Sequence, residues 1–221
     1  MTTTQNPETT TSRPTVGSAV LIGIVAVAAL IGIAVGINVA YLAATTTANS
    51  SVTVPVVVTA DAPQPTGPGI GPGDPGWPAP VDLPLVHSGH LMLGIVDADP
   101  LTAVLSQAET WVSLLTAGGV VLLLIPVLRA TTAGRPFAPA NARRLTIAAV
   151  AATAGWTLAA TLPVVAAQRA ISGEMAGVPA QWYAPLFQPE WWPLGFAAFL
   201  AVLAAATAHG ARLGSETEGL V

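Results

Sequence analysis

The sequence predicts an all-α membrane protein: four transmembrane helices with a small extracytoplasmic β element. Four apolar runs, residues 16–44, 111–128, 145–167 and 191–208, contain no charged side chain. Hydrocarbon offers no hydrogen-bond partner, so an apolar span must satisfy its own peptide groups, as a helix does. About 20 residues at ~1.5 Å each cross the ~30 Å core of a bilayer. Composition agrees. Of 221 residues, 52% are hydrophobic and 8% charged, against roughly 25% charged in a soluble domain.

The arginines orient the spans. The chain has no lysine, and its seven cations are all arginine. Arg129, Arg135, Arg143 and Arg144 crowd the short connection 129–144, Arg13 precedes the first span and Arg212 follows the fourth. Residues 45–110 hold no cation, and residues 168–190 hold Arg169 alone. The positive-inside rule then places both termini in the cytoplasm and the two large connections outside. Trp111, Trp191 and Trp192, with Trp182 and Tyr183 close by, fall at the outer interface, as an aromatic belt does. Cysteine is absent, which excludes disulfides, thiolate metal sites and a cysteine nucleophile. A net charge of −4 argues against direct nucleic-acid binding.

Residues 1–15 are Thr-rich without an apolar period and read as a disordered cytoplasmic tail. The first span, 16–44, opens with an uninterrupted run of 22 residues, 16–37, before the polar Asn38. A secretory leader has an apolar core of about 7–15, so an anchor is expected. Gly32 and Gly36 form a GxxxG pair. Such a pair lets two helix backbones approach closely. An intramolecular contact is the expected use, and a homo-oligomer through Gly32 and Gly36 is the alternative.

The extracytoplasmic loop, 45–110, divides in three. Residues 51–59 have the Val and Thr density of a strand. Residues 62–80 hold seven Pro and five Gly, so they read as an extended loop. Residues 81–96 place two apolar runs around Ser88-Gly89, which predicts a hairpin. Pro55 and Pro84 should then sit at edges or at unpaired backbone positions. A sheet of three strands within this loop is expected. Asp99-Pro100 reads as an N-cap and first helical residue, and Leu101, Val104, Leu105, Ala108 and Trp111 follow at helical spacing.

The second span, 111–128, carries Pro126 near its inner end, and Gly134 marks a stop. The basic cytoplasmic loop, 129–144, contains Pro139, which can open the third helix. On the third span, 145–167, Thr153, Thr157 and Thr161 repeat every four residues and so share a face. Each hydroxyl can bond its own helix backbone. Helix packing is the expected role of this stripe, with a polar permeation path as the alternative. Pro163 is a candidate kink. The second extracytoplasmic loop, 168–190, leads to the fourth span, 191–208, and a cytoplasmic tail, 209–221.

Little reaction chemistry is present. Intramembrane ionisable residues mark ion-coupled transport, and no span holds one. His209 stands where a cation complements a helix C-terminus. His87, His90 and Asp97, with Asp99 nearby, are the candidate metal ligands, because imidazoles paired across a hairpin can share an ion with a carboxylate. Two histidines at a solvated turn are the plainer reading. Glu174 and Glu190 form no acid/base pair, and no nucleophile, base and orienting group can be assembled. The chain is therefore expected not to be an enzyme, and no cofactor is implied. Arg135, Phe137, Asn141, Arg143 and Arg144, with Glu216 and Glu218 of the tail, are candidate partner-binding residues. In the competing structural reading the arginines bind lipid headgroups and Phe137 packs on the helix ends.

Gly134-Arg135-Pro136-Phe137, followed by Asn141-Ala142-Arg143-Arg144-Leu145, resembles a signature of the bacterial membrane proteins grouped as domain-of-unknown-function family 2975. The ending Gly210-Ala211-Arg212-Leu213, with Glu216-Thr217-Glu218-Gly219-Leu220-Val221, is similar to that family's closing pattern. Ala138 departs from it, standing where the family has Thr or Ser, so the third helix should start with a weaker cap. The resemblance implies four spans in a bacterial plasma membrane and no established activity. Family members often neighbour genes for small helix-turn-helix regulators, which implies a cytoplasmic regulator protein as partner. The expected function is a non-enzymatic sensory or regulatory membrane protein. A passive transporter or channel subunit, and an extracytoplasmic metal-binding protein, are the alternatives.

Overall fold

The structure, a computed structural model, describes residues 16–45, 52–58, 91–95, 98–172 and 183–218. Four of its helices are long and apolar enough to cross a membrane: α1 (Val16–Thr45), α3 (Ala108–Thr132), α4 (Pro139–Ser172) and α5 (Trp192–Glu218). The short α2 (Pro100–Ser106) precedes α3. The described residues also form three strands: β1 (Val52–Val58), β2 (Leu91–Ile95) and β3 (Tyr183–Pro185).

The long helices stand in a row. α1 packs on α3, α3 on α4 and α4 on α5. Small residues set these approaches. Gly36 of α1 faces α3, where an added Cβ would lie 3.1 Å from Trp111 O and 3.2 Å from Leu114 Cβ. Gly118 answers from α3, facing Ala29 O and Ile33. Gly32 faces the same helix at Leu114. Both glycines of the GxxxG pair thus face α3 within the chain. Between α3 and α4, Gly155 leaves room for the side chain of Thr116. Alanines do the same between α4 and α5: Ala148, Ala149 and Ala152 face Ala197, Leu200 and Ala204.

α4 has 34 residues, about 51 Å of helix, against the ~30 Å of a bilayer core. Its ends must project. The C-terminal turns carry the sheet: Ala166, Ala167, Ala170 and Ile171 pack under Val52, Val54, Val56 and Ile95. Period-2 alternation builds this face, since Val52, Val54 and Val56 are buried while Thr53 and Val57 are exposed.

The sheet order is β2-β1-β3, all antiparallel. Three strands were expected within the first connection, but the third comes from the second connection, at Tyr183–Pro185. Pro55 was expected at an edge or an unpaired position, and it takes the second: it lies in the central strand opposite Met92, with its nitrogen outside both ladders. Its missing donor faces the β3 side. Leu186 N donates to Pro55 O at 3.2 Å, and Pro55 has no N–H to return. An antiparallel bonded pair exchanges both bonds, so the β3 ladder stops beside it at Val56↔Pro185. The proposed Ser88-Gly89 turn and Pro84 lie outside the described residues, as do the expected tail 1–15 and loop 62–80.

Asp99 holds the position before α2 with extended backbone, but its side chain makes no capping bond. Trp111 Nε1 reaches back across the α2–α3 junction and donates to Val104 O at 3.0 Å. α3 ends as its sequence implies. Gly134 takes φ 74°, Gly134 N donates to Thr131 O at 3.0 Å, and Arg135 N to Ala130 O at 2.9 Å. These are the paired bonds of a Schellman motif, and the left-handed residue is a glycine because a Cβ would be strained there. α5 continues well beyond the apolar run, through Gly210 to Glu218.

Candidate functional site

The sequence candidates gather at the turn between α3 and α4. Pro139 begins α4, where its missing N–H costs no helical bond. With Ala138 in place of a capping hydroxyl, the loop is held from inside the helix instead. Asn141 is fully buried, and its Nδ2 donates to Pro136 O at 3.1 Å and Arg135 O at 3.4 Å. Its Oδ1 has no hydrogen-bond partner. Asn141 is thus a positioning residue for the turn, hidden from any partner.

Around it the end of the row is basic. Arg129, Arg135 and Arg143 are exposed and Arg144 is half-buried. Phe137 keeps 56% of its surface exposed, while its ring edge rests on α5 at Gly210. Glu216 is exposed six residues further along α5, about 9 Å beyond that contact. The side chain of Glu218 lies outside the described residues. The structure therefore brings Arg135, Phe137 and Arg143 to one end with the last turns of α5.

The opposite end carries the sheet and an ion pair. Arg169 Nη2 lies 3.5 Å from Asp99 Oδ2. The lone arginine of the second connection thus meets an acid of the first. Thr102, buried at the start of α2, is the main influence holding the Asp99 carboxyl below its ordinary pKa, and Arg169 adds to it against the cost of desolvation. Asp99 Oδ1 has no hydrogen-bond partner. Burial pushes the Tyr183 hydroxyl above its ordinary pKa. A missed signal was available: an isolated cation beside Asp97 and Asp99 on an otherwise acidic side calls for a partner.

His87, His90 and Asp97 lie outside the described residues. Among the described residues no three His, Asp or Glu side chains come together as metal ligands. Asp99, their neighbour in sequence, is instead engaged by a guanidinium.

Glu190 gathers tryptophans. Trp156 Nε1 donates to its backbone carbonyl at 2.6 Å, and Trp192 Nε1 to its Oε2 at 2.7 Å. The rings of Trp156 and Trp191 lie 5.7 Å apart. Trp191 and Trp192 remain mostly exposed. Thr153, Thr157 and Thr161 share one face of α4 and donate to Ala149 O, Thr153 O and Thr157 O at 3.0, 2.9 and 2.8 Å. That face is exposed, so the stripe does not serve the helix packing expected of it. α4 meets its neighbours through alanines and Gly155.

No protein-family model, curated protein or solved structure matches the chain.

Proposed function

We propose that the chain is a non-enzymatic sensory or regulatory protein of a bacterial plasma membrane, with the sheet outside and the basic turn docking a cytoplasmic protein. One observation carries the reading: α4 belongs to both ends. Its last turns pack the sheet through Ala166, Ala170 and Ile171, and its first turn roots the loop through Asn141. A displacement of the sheet has an unbroken helical path to the turn. Arg135 and the exposed ring of Phe137 form the docking surface, with Glu216 beyond them. The positive-inside rule supports the orientation. The resemblance to the uncharacterised bacterial family supports the partner class.

Two experiments test this. A cysteine at Thr53 should react with an impermeant thiol reagent on intact cells, and one at Ala140 only after lysis; no native cysteine interferes. Labelling of the Ala140 site on intact cells reverses the orientation. Phe137→Ala with Arg135→Ala should stay inserted but lose a cytoplasmic protein captured by the wild type. Unchanged capture removes the docking role.

A further inference from the structure

Between α4 and α5, on the half of their interface nearest the turn, the helices leave an open furrow of about 390 Å³. Its walls are chiefly methyl groups, with Ala149 on one side and Ala201, Ala205 and Ala208 on the other. Ala149 and Ala204 are buried where the helices touch. Ala201 and Ala205 turn outward, and neither is long enough to cover the gap. Thr146, the hydroxyl in the wall, donates to Ala142 O at 3.0 Å, so the wall needs no polar ligand.

An unfilled gap in hydrocarbon forfeits dispersion contacts on its open side. The medium at that depth is the acyl chain. From Ala142 to Val150 the furrow follows α4 for about 12 Å. At its turn end the wall finishes in Arg143, which is exposed and stands two residues before the apolar run begins at Leu145. A planar fork of donors at the boundary, with a methyl-walled furrow running from it into the core, matches a phosphate joined to a fatty chain. Arg129, Arg135 and Arg144 raise the positive potential at the same end. The guanidinium of Arg143, the arginine in the furrow wall itself, opposes the ammonium of a zwitterionic headgroup and favours an anionic one.

The outer face of α1 offers a contrast. It has a shallow furrow of about 510 Å³ lined by Val20, Gly23, Ile24, Val27, Ala28 and Ile31. No charged or hydroxyl side chain stands among these residues, so it has no means of choosing a headgroup.

We propose that the α4–α5 furrow binds one anionic phospholipid, its phosphate on the Arg143 guanidinium and one acyl chain along Ala201 and Ala205. The inference does not depend on which side of the membrane the turn occupies, nor on a docked protein.

Native mass spectrometry of the purified full chain, delipidated and then offered phosphatidylglycerol or phosphatidylcholine of identical chains in mixed micelles, tests it. One phosphatidylglycerol per chain should be retained about tenfold more tightly than phosphatidylcholine, because both phosphates can reach Arg143 but only choline brings an ammonium against it. Arg143→Gln should erase that preference, and Ala205→Leu should weaken both lipids by filling the furrow. Arg129→Gln and Ala28→Leu should behave as wild type. Equal retention of the two lipids by the wild type overturns the proposal. So does an Arg129→Gln loss as large as that of Arg143→Gln, because the attraction is then diffuse. If Ala205→Leu changes chain–chain association and leaves lipid retention intact, the furrow seats a second copy and the proposal is wrong. Should a variant fail to insert, the wild-type ratio of the two lipids decides alone.

Discussion

The ring of Phe137 rests on the backbone of α5 at Gly210, where an added methyl group would fall 2.6 Å from Cδ1. This contact ties the turn between α3 and α4 to the last helix. It also makes Gly210 a packing residue, in the middle of a helix where glycine is otherwise unfavourable.

Gly210→Ala should therefore force the ring away and destabilise the chain by about 1–2 kcal/mol, the usual cost of overpacking. Phe137→Ala in the same chain should recover most of that loss, because the obstruction is gone. A double-mutant cycle read by thermal unfolding in detergent separates these outcomes. Additive losses would show that the two residues do not meet.

Asn141→Ala removes both donors from the turn carbonyls at 135 and 136. A loss of about 1–3 kcal/mol is expected, as for a buried hydrogen-bonding group. Arg135→Ala, whose side chain is exposed, should stay within about 0.5 kcal/mol of wild type. The comparison of unfolding midpoints distinguishes a turn held from within from one held by its surface charges.

Gly118→Ala should separate α1 from α3, since its Cβ would lie 2.8 Å from Ala29 O, a backbone atom that cannot rotate aside. Gly23→Ala meets nothing within 4 Å and should be neutral, or stabilising by up to about 1 kcal/mol through helix propensity. Equal effects of the two, measured as resistance of α1 to release by detergent, would contradict the row packing.

The sheet end should respond to pH at both extremes. The Asp99 carboxyl titrates below its ordinary 3.8 when folded. Its contribution is thus fully present above the unfolded value and lost as pH falls through the lower folded one. Tyr183 is shifted the other way, above 10.0. Its contribution holds below the unfolded value and disappears as pH rises through the folded one. Hydrogen exchange at β1 should therefore accelerate in acid below about pH 4. Asp99→Asn should abolish the acid limb and leave the alkaline one.

Much of this architecture is legible in the residues. Charge-free runs, Gly134 as a helix stop and Pro139 as a helix start each follow from one dominant force, and all stand in the structure. Strand β3 does not follow: three residues ending in proline carry no period. The threonine face of α4 was misassigned for a different reason. Periodicity tells which residues share a face, but lipid and helix interfaces are both apolar, so it does not tell where the face points. Asn141 looked like a surface contact because it lies among arginines, whereas its amide is short enough to turn inward and bond the loop. Arg169 stood apart from the other cations, and its pairing with Asp99 required knowing that the end of α4 meets the start of α2.

The row α1–α3–α4–α5 also repeats the order of synthesis. Each long helix finds its packing partner already in place when it emerges, and none must wedge between two earlier ones. Nearest-neighbour contacts of this kind cost little chain-closure entropy and form quickly. Only the sheet waits: β1 and β2 can pair early, but β3 is made after α4. The last strand thus closes over a scaffold that three spans have already fixed, and a truncation after Ser172 should leave those spans assembled beneath an open sheet edge.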